Sequence, residues 1–325
     1  MNVLVTGANG LLGHQVVMEL LKRQHTVHLI VRSTQNIYFD ISSVKVFEGN
    51  FTDYTLLSQA ARGCDAIIHI AAVTATNLLK ADDYRNINVE GTARVIRAAN
   101  ESGIRTIVYI SSANTIGFGN EQLPADERFP IQYPFSASFY AQSKLESEQL
   151  LVEASKQPDK HVVIINPAFM IGAYDTKPSS GKLILMGYNR RILFIPKGGK
   201  NFVPARDVAV AVCNALTRGR NGERYLASGI NLSFKEYYTL QKQAGSYSQW
   251  IFELPGFLLL SIAKIGDLLR RLGIKSDLST RNIRQLLIRE YYSNRKGKNE
   301  LNLPETDLKI AVQEAIDWFK EHNRI

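Results

Sequence analysis

Apolar residues recur along the first half of the chain in two alternating rhythms. NVLVT (2–6), TVHLIV (26–31), VKVFEG (44–49) and DAIIHIAA (65–72) are short runs dominated by apolar side chains. RTIVYISS (105–112) and HVVIINP (161–167) extend the series. Between them lie segments of helical spacing: 11–24, apolar at 12, 16, 17, 20 and 21, then 54–62, 83–102 and 138–155. Strands apolar on both faces and separated by helices predict a parallel sheet covered on both sides. With right-handed crossovers this is an α/β, doubly wound parallel sheet of the Rossmann type. After residue 167 the rhythm loosens. NPAFMIGAYDTKPSSGK reads as a loop over a cleft. A helix is expected at 205–219, a strand at 223–228, and helices at 233–244, 254–272, 278–291 and 306–322. The expected division is a cofactor-binding domain over 1–170, with 205–228 returning to it, and a smaller, mostly helical substrate lobe over 171–325.

Composition narrows this picture. The chain has 325 residues, 45% of them hydrophobic and 21% charged, enough for a substantial core. Its two cysteines, Cys64 and Cys213, lie far apart and fit a reducing compartment. No signal peptide is evident at the N-terminus, so a cytoplasmic location is expected. The six histidines show no metal-ligand spacing, and no metal is expected.

The net charge of +9 is uneven. Residues 1–170 hold 14 Lys+Arg and 16 Asp+Glu; residues 171–325 hold 25 and 14. A basic second half suits an anionic substrate, an acidic surface or nucleic acid, and equally a solvated basic face. Nucleic acid is not the expected partner. LPGFLLLSIAKIGDLLRRLG (254–273) is largely apolar but too short in its apolar run to span a bilayer. Peripheral membrane contact is one reading. A roof over the substrate pocket is the preferred one.

Candidate chemistry begins at Gly7, Gly10 and Gly13, where the first strand runs into the first helix. A helix N-terminus offers free N–H groups and a positive dipole end to dinucleotide phosphates. Glycine lets the backbone approach them. The second strand ends in Arg32, Ser33 and Thr34, with no acidic residue for the ribose hydroxyls. A guanidinium there can pair with a 2′-phosphate, which favours NADP(H) and leaves NAD(H) open. Tyr140 and Lys144 share one helix face at i, i+4. A nearby ammonium and an oxidised nicotinamide would favour the phenolate, fitting Tyr140 for proton transfer. Ser111 and Ser112 end the fifth strand, at the sheet edge where ligands bind.

Seven ordered segments then carry a resemblance: TGANGLLG (6–13), DAIIHIAA (65–72), NVEGT (88–92), YISSANTIG (109–117), YAQSK (140–144), NPAFMIG (166–172) and FVPARDVA (202–209). In these the chain resembles the extended short-chain dehydrogenase/reductases, with Asn166 where that pattern has arginine. The resemblance implies that Gly7, Asn9, Gly10, Leu11, Leu12 and Gly13 cradle the pyrophosphate. It places Arg32 at the adenosine ribose, and Asn50 and Phe51 beside adenine, with Asn50 replacing the usual Asp. Ala71 and Ala72 would line the cofactor, and Pro167 would flank the nicotinamide. Asn88 is a cofactor contact or a structural residue, and His69 is a packed family residue. Ser112 is implied as the catalytic hydroxyl, with Ser111 as fallback. Tyr140 would be the acid/base, and Lys144 would hold the nicotinamide ribose and tune Tyr140.

Residues 166–325 look most like the dihydroflavonol reductase-like branch, notably YYSNRKGKNELNL (291–303) before a helix ending AIDWFK. That implies an NADP-dependent oxidoreductase acting on a carbonyl or alcohol of a largely apolar small molecule. An NAD-dependent nucleotide-sugar epimerase or dehydratase, and a non-catalytic NADP-sensing protein, are the alternatives. Family members often dimerise through the helices at 83–102 and 138–155, so a homodimer is open.

Overall fold

The computed structural model describes residues 1–75, 78, 80–271 and 280–325. Its centre is a seven-stranded sheet in the spatial order 224–227, 161–167, 106–110, 66–69, 2–6, 26–31, 45–48. Every neighbouring pair is parallel. The apolar runs explain this: Val3, Leu4 and Val5 are fully buried because both faces of their strand are covered. Helices Leu11–Lys22 and Ala205–Ala215 contribute to one apolar layer, joined by Val17, Val208 and Val212. Helices Tyr54–Ala61, Glu90–Glu101 and Phe139–Ala154 contribute Leu57, Val95 and Leu151 to the other.

The order of strands sets the site. From Asn2–Thr6 the chain first builds outward through 26–31 and 45–48, then returns to build the other side from 66–69. The crevice lies where the direction reverses, at the carboxyl ends of 2–6 and 66–69. The glycine loop leaves the first of these strands and Ala71 follows the second.

The segment from 205 to 228 does rejoin the sheet: 224–227 pairs with 161–167 as the edge strand. The second lobe has its own core, including Ile171, Ile184, Phe202, Tyr237 and Phe319. It also contains strands absent from the sequence reading. Ile192–Pro196 pairs in parallel with Trp250–Leu254. The helix expected at 254–272 therefore begins only at Gly256, after Pro255, and runs to Arg271. Five residues are too few for periodicity to tell strand from helix, and here strand pairing decided it. The helix expected at 278–291 is Thr280–Leu287 followed by the short strand Arg289–Glu290. Residues 272–273 and 278–279 of these expectations lie outside the described residues. The helix expected at 83–102 is broken by a wide π-type turn at Arg85–Val89, which contains Asn88. Among the described residues, no helix is long and apolar enough to cross a membrane.

Candidate active site

The glycine loop can be tested for its fit to a dinucleotide by asking what a Cβ would meet. At Gly13 it would lie 2.1 Å from the Gly7 carbonyl oxygen. At Gly7, where φ is +80°, it would lie 2.7 Å from the Ala71 nitrogen. These two glycines are demanded by the protein's own packing. At Gly10 it would meet only the Gly7 oxygen, at 3.6 Å. Gly10 also starts helix Leu11–Lys22 with no side-chain cap and no acidic residue in the first turn. The loop thus leaves open space and uncapped N–H groups at a positive helix end, which suits a pyrophosphate.

The second half of the crevice is built on helix Phe139–Ala154. Ser138 caps it, accepting from the Ala141 N–H. Tyr140 and Ser112 are both partly exposed, with the serine hydroxyl near enough to the phenol to act on its proton affinity. Burial pushes the Tyr140 phenol up, the Ser112 hydroxyl pulls it down, and neighbouring Tyr84 pushes it up again. One turn on, Lys144 is only 2% exposed. Its ammonium donates to the Ile110 carbonyl at 2.6 Å and lies 4.3 Å from the Tyr109 ring centre.

Ser111 points the other way. It is buried and donates to Glu148. The same Glu148 oxygen accepts from Thr115 Oγ1 and Asn166 Nδ2, each at 2.7 Å. Asn166 also donates to the Ser112 carbonyl at 3.2 Å. Arg224, from the edge strand, stands 3.5 Å from the second Glu148 oxygen. This buried network grips the loop that carries Ser112 and engages the Ser111 hydroxyl within the protein. Glu148 and Asn166 were not singled out for this from the sequence. The available signal was spacing: Glu148 follows Lys144 by four on the Tyr140 helix.

Other expected site residues divide into two groups. Ala71 abuts the glycine loop, its N–H bonded to Thr6 Oγ1 at 3.3 Å. Ala72 follows it, partly exposed, and Pro167 ends the strand 161–167 beside Ala227. Asn9 is tied to the second lobe, its carbonyl accepting from Thr176 Oγ1 at 3.1 Å. Leu11 and Leu12 are buried in the first turn of their helix, where only their backbone faces a ligand site. Arg32 is exposed, and among the described residues it has no ion-pair partner.

Asn88, Asn50, Phe51 and His69 are spent differently. Asn88 is buried; its amide accepts from the Val73 N–H and donates to the Val73 carbonyl and Ser143 Oγ. It is a strut between the loop after the fourth strand and the Tyr140 helix. Asn50 turns its side-chain oxygen to the Thr52 N–H at 3.1 Å. Phe51 is 8% exposed and packs against His69 and under Gly91. His69 bonds Thr6 Oγ1 at 2.7 Å through Nδ1. Burial, helped by the Lys144 charge, pulls His69 down to about 3, so it is neutral and structural.

Residues 3–228 match the model of the NAD dependent epimerase/dehydratase family. The chain belongs to that family. It is similar to a "Sterol demethylase protein B" of Methylococcus capsulatus, 31% identical over 100% of both chains. It is also similar to a "Putative dihydroflavonol 4-reductase" of a Synechocystis species, 28% identical over 99% of this chain and 95% of the other. Among solved structures, the UDP-glucose 4-epimerase of Thermus thermophilus in complex with NAD shares the fold. Its TM-score is 0.76 at 19% identity, over 98% of this chain and 99% of that one. As a family member the chain is a nicotinamide-dependent oxidoreductase of the extended short-chain dehydrogenase/reductase type.

The buried lysine gives a pH prediction. Burial pulls Lys144 down to about 7 from lysine's ordinary 10.5, while the Glu148 carboxylate pulls it up. Below that folded value both folded and unfolded chains hold the proton. Between the two values the unfolded chain alone holds it, so folding stability contributed by this group rises with pH across that window. Lys144→Met should flatten this part of a plot of Tm against pH. An unchanged slope would show that Lys144 does not titrate there.

Proposed function

We propose that the chain is an NADP-dependent reductase or dehydrogenase, moving a hydride between the nicotinamide and a carbonyl or alcohol carbon of a largely apolar substrate. One observation carries this reading: two hydroxyls, Ser112 and Tyr140, meet at the crevice in front of a buried lysine. When bound, the dinucleotide supplies or takes the hydride at its nicotinamide ring. In reduction Ser112 donates a hydrogen bond to the carbonyl oxygen, and Tyr140 donates the proton that makes it a hydroxyl. In oxidation Tyr140 takes that proton back. Lys144 holds the ribose and lends its charge to the phenolate. Gly7, Gly10 and Gly13 shape the phosphate cradle, with the first-turn N–H groups facing the pyrophosphate.

The apolar character of the substrate is supported by the sterol-named relative and by the resemblance to the dihydroflavonol reductase-like branch. Following absorbance at 340 nm with a panel of aldehydes, ketones and nucleotide sugars tests the reading. Net consumption of NADPH by a ketone or aldehyde supports it. Conversion of a nucleotide sugar with no net NADPH consumption overturns it in favour of an epimerase.

Arg32 carries the cofactor choice. An exposed guanidinium with no carboxylate partner among the described residues is free to pair with a 2′-phosphate. Arg32→Ala should raise KM for NADPH by about 10-fold, the scale of one charge-assisted contact, and leave KM for NADH nearly unchanged. A wild-type preference for NADH would remove this role.

A further inference from the structure

The second lobe carries an apolar face that the described part of the chain leaves uncovered. In the parallel pair of strands 192–196 and 250–254, Leu193 and Ile195 point into the lobe's core. The outward row is Ile192, Phe194, Trp250 and Phe252, respectively 53%, 61%, 68% and 48% exposed. Register puts Ile192 beside Trp250 and Phe194 beside Phe252, and the two phenyl centres are 5.9 Å apart.

The chain then turns at Pro255 directly into helix Gly256–Arg271. There Phe257 is 74% exposed, Ile265 61%, Leu268 57%, Leu258 41% and Ile262 40%. At 100° per residue these positions span an arc of about 140°. Ala263, outside that arc, is fully buried. The usual surface helix turns its apolar stripe inward; this one also turns a stripe outward. Exposed apolar side chains gathered on successive elements of the chain suit an interaction surface.

Charge selects the occupant. Between residues 176 and 206 there are seven Lys+Arg and no Asp+Glu. Arg190 and Arg191 immediately precede the outward row and Lys197 immediately follows its strand, all exposed. Lys264 is exposed on the helix, at the edge of its stripe. Among the described residues none of these four cations is in an ion pair. The carboxylates close by in sequence are Glu253 and Asp267, and Asp267 accepts from the Thr280 N–H. A two-fold interface between copies would bring this basic patch against itself. Aromatic and aliphatic side chains flanked by free cations instead match the boundary of an anionic lipid leaflet.

We infer that the face formed by 192–196, 250–254 and the outward stripe of 256–268 docks on an anionic membrane surface. The apolar row enters the headgroup boundary, and Arg190, Arg191, Lys197 and Lys264 meet lipid phosphates. No membrane crossing is involved, only contact with one leaflet. The inference concerns a surface and stands apart from the catalytic reading.

Flotation of the full chain with lipid vesicles tests it, and requires no substrate. Binding to phosphatidylcholine vesicles containing about 30% phosphatidylglycerol should exceed binding to pure phosphatidylcholine by about 10-fold, and weaken as salt rises. F257S/I265S, at exposed positions, should abolish flotation with Tm unchanged. R190E/R191E should reduce binding to the phosphatidylcholine level. Equal binding to both vesicle types, or none, overturns the inference. So does a dimer in sedimentation equilibrium that F257S/I265S dissociates while wild-type chain ignores vesicles.

Discussion

Tyr140→Phe is expected to lower turnover by about 10²-fold or more while dinucleotide affinity stays within about two-fold. The substitution keeps the ring, whose centre lies 6.4 Å from that of Tyr84, and removes only the hydroxyl. The proton then has no donor at the substrate oxygen, whereas the phosphate cradle on the first helix is untouched. Single-turnover kinetics with a confirmed substrate, alongside a dinucleotide titration, separate the two effects. Turnover that survives the change would remove Tyr140 from the mechanism. A parallel loss of cofactor binding would mean that the phenol acts in binding rather than in proton transfer.

The second large effect is a contrast between two glycines of one loop. Gly13→Ala puts a methyl group 2.1 Å from the Gly7 oxygen and 2.7 Å from the Ala8 Cα. Backbone must move, so the first helix and the sheet edge it covers are disturbed. A loss of about 3 kcal/mol or more in stability is expected, at or above the upper end for overpacking, because backbone gives way less than a side chain. Gly10→Val should melt near the wild type, since its Cβ would meet only one atom, at 3.6 Å. Its added bulk fills the space assigned to the pyrophosphate, and dinucleotide affinity should fall by about 10²-fold, close to 3 kcal/mol. Thermal melting and calorimetric titration of the two variants check both halves. If Gly10→Val binds normally, the cradle has been put in the wrong place.

What could be read from the sequence depended on whether the signal was local. The strands of the sheet were legible because each is a dense apolar run bounded by a helix of different period. Tyr140 and Lys144 were legible because helical spacing alone puts them on one face. Ser111 and Ser112 could not be told apart by local pattern, and the contact that distinguishes them is distant in sequence: Ser111 donates to Glu148. That carboxylate is held under the loop by Thr115 and Asn166, residues 33 and 18 positions away in the chain. No periodicity reports such a meeting. Asn88 shows the same limit, since its partners Val73 and Ser143 are far apart in sequence. The strand at 250–254 was illegible for another reason. Pro255 and Gly256 mark a break after it, but five residues interrupted by Glu253 are too few to show a period, and only pairing with 192–196 reveals the strand.

The edge strand has an evolutionary consequence. Strand 224–227 completes the sheet only after the chain has visited the second lobe, and helix 205–215 is laid over the sheet on the way. No single crossover point therefore divides this chain into a complete sheet and a complete second lobe. Recombination after residue 170 would import a foreign edge strand and a foreign covering helix along with any new pocket. The sheet and the second lobe are therefore interdependent in the chain: neither can be exchanged at one point without breaking the other.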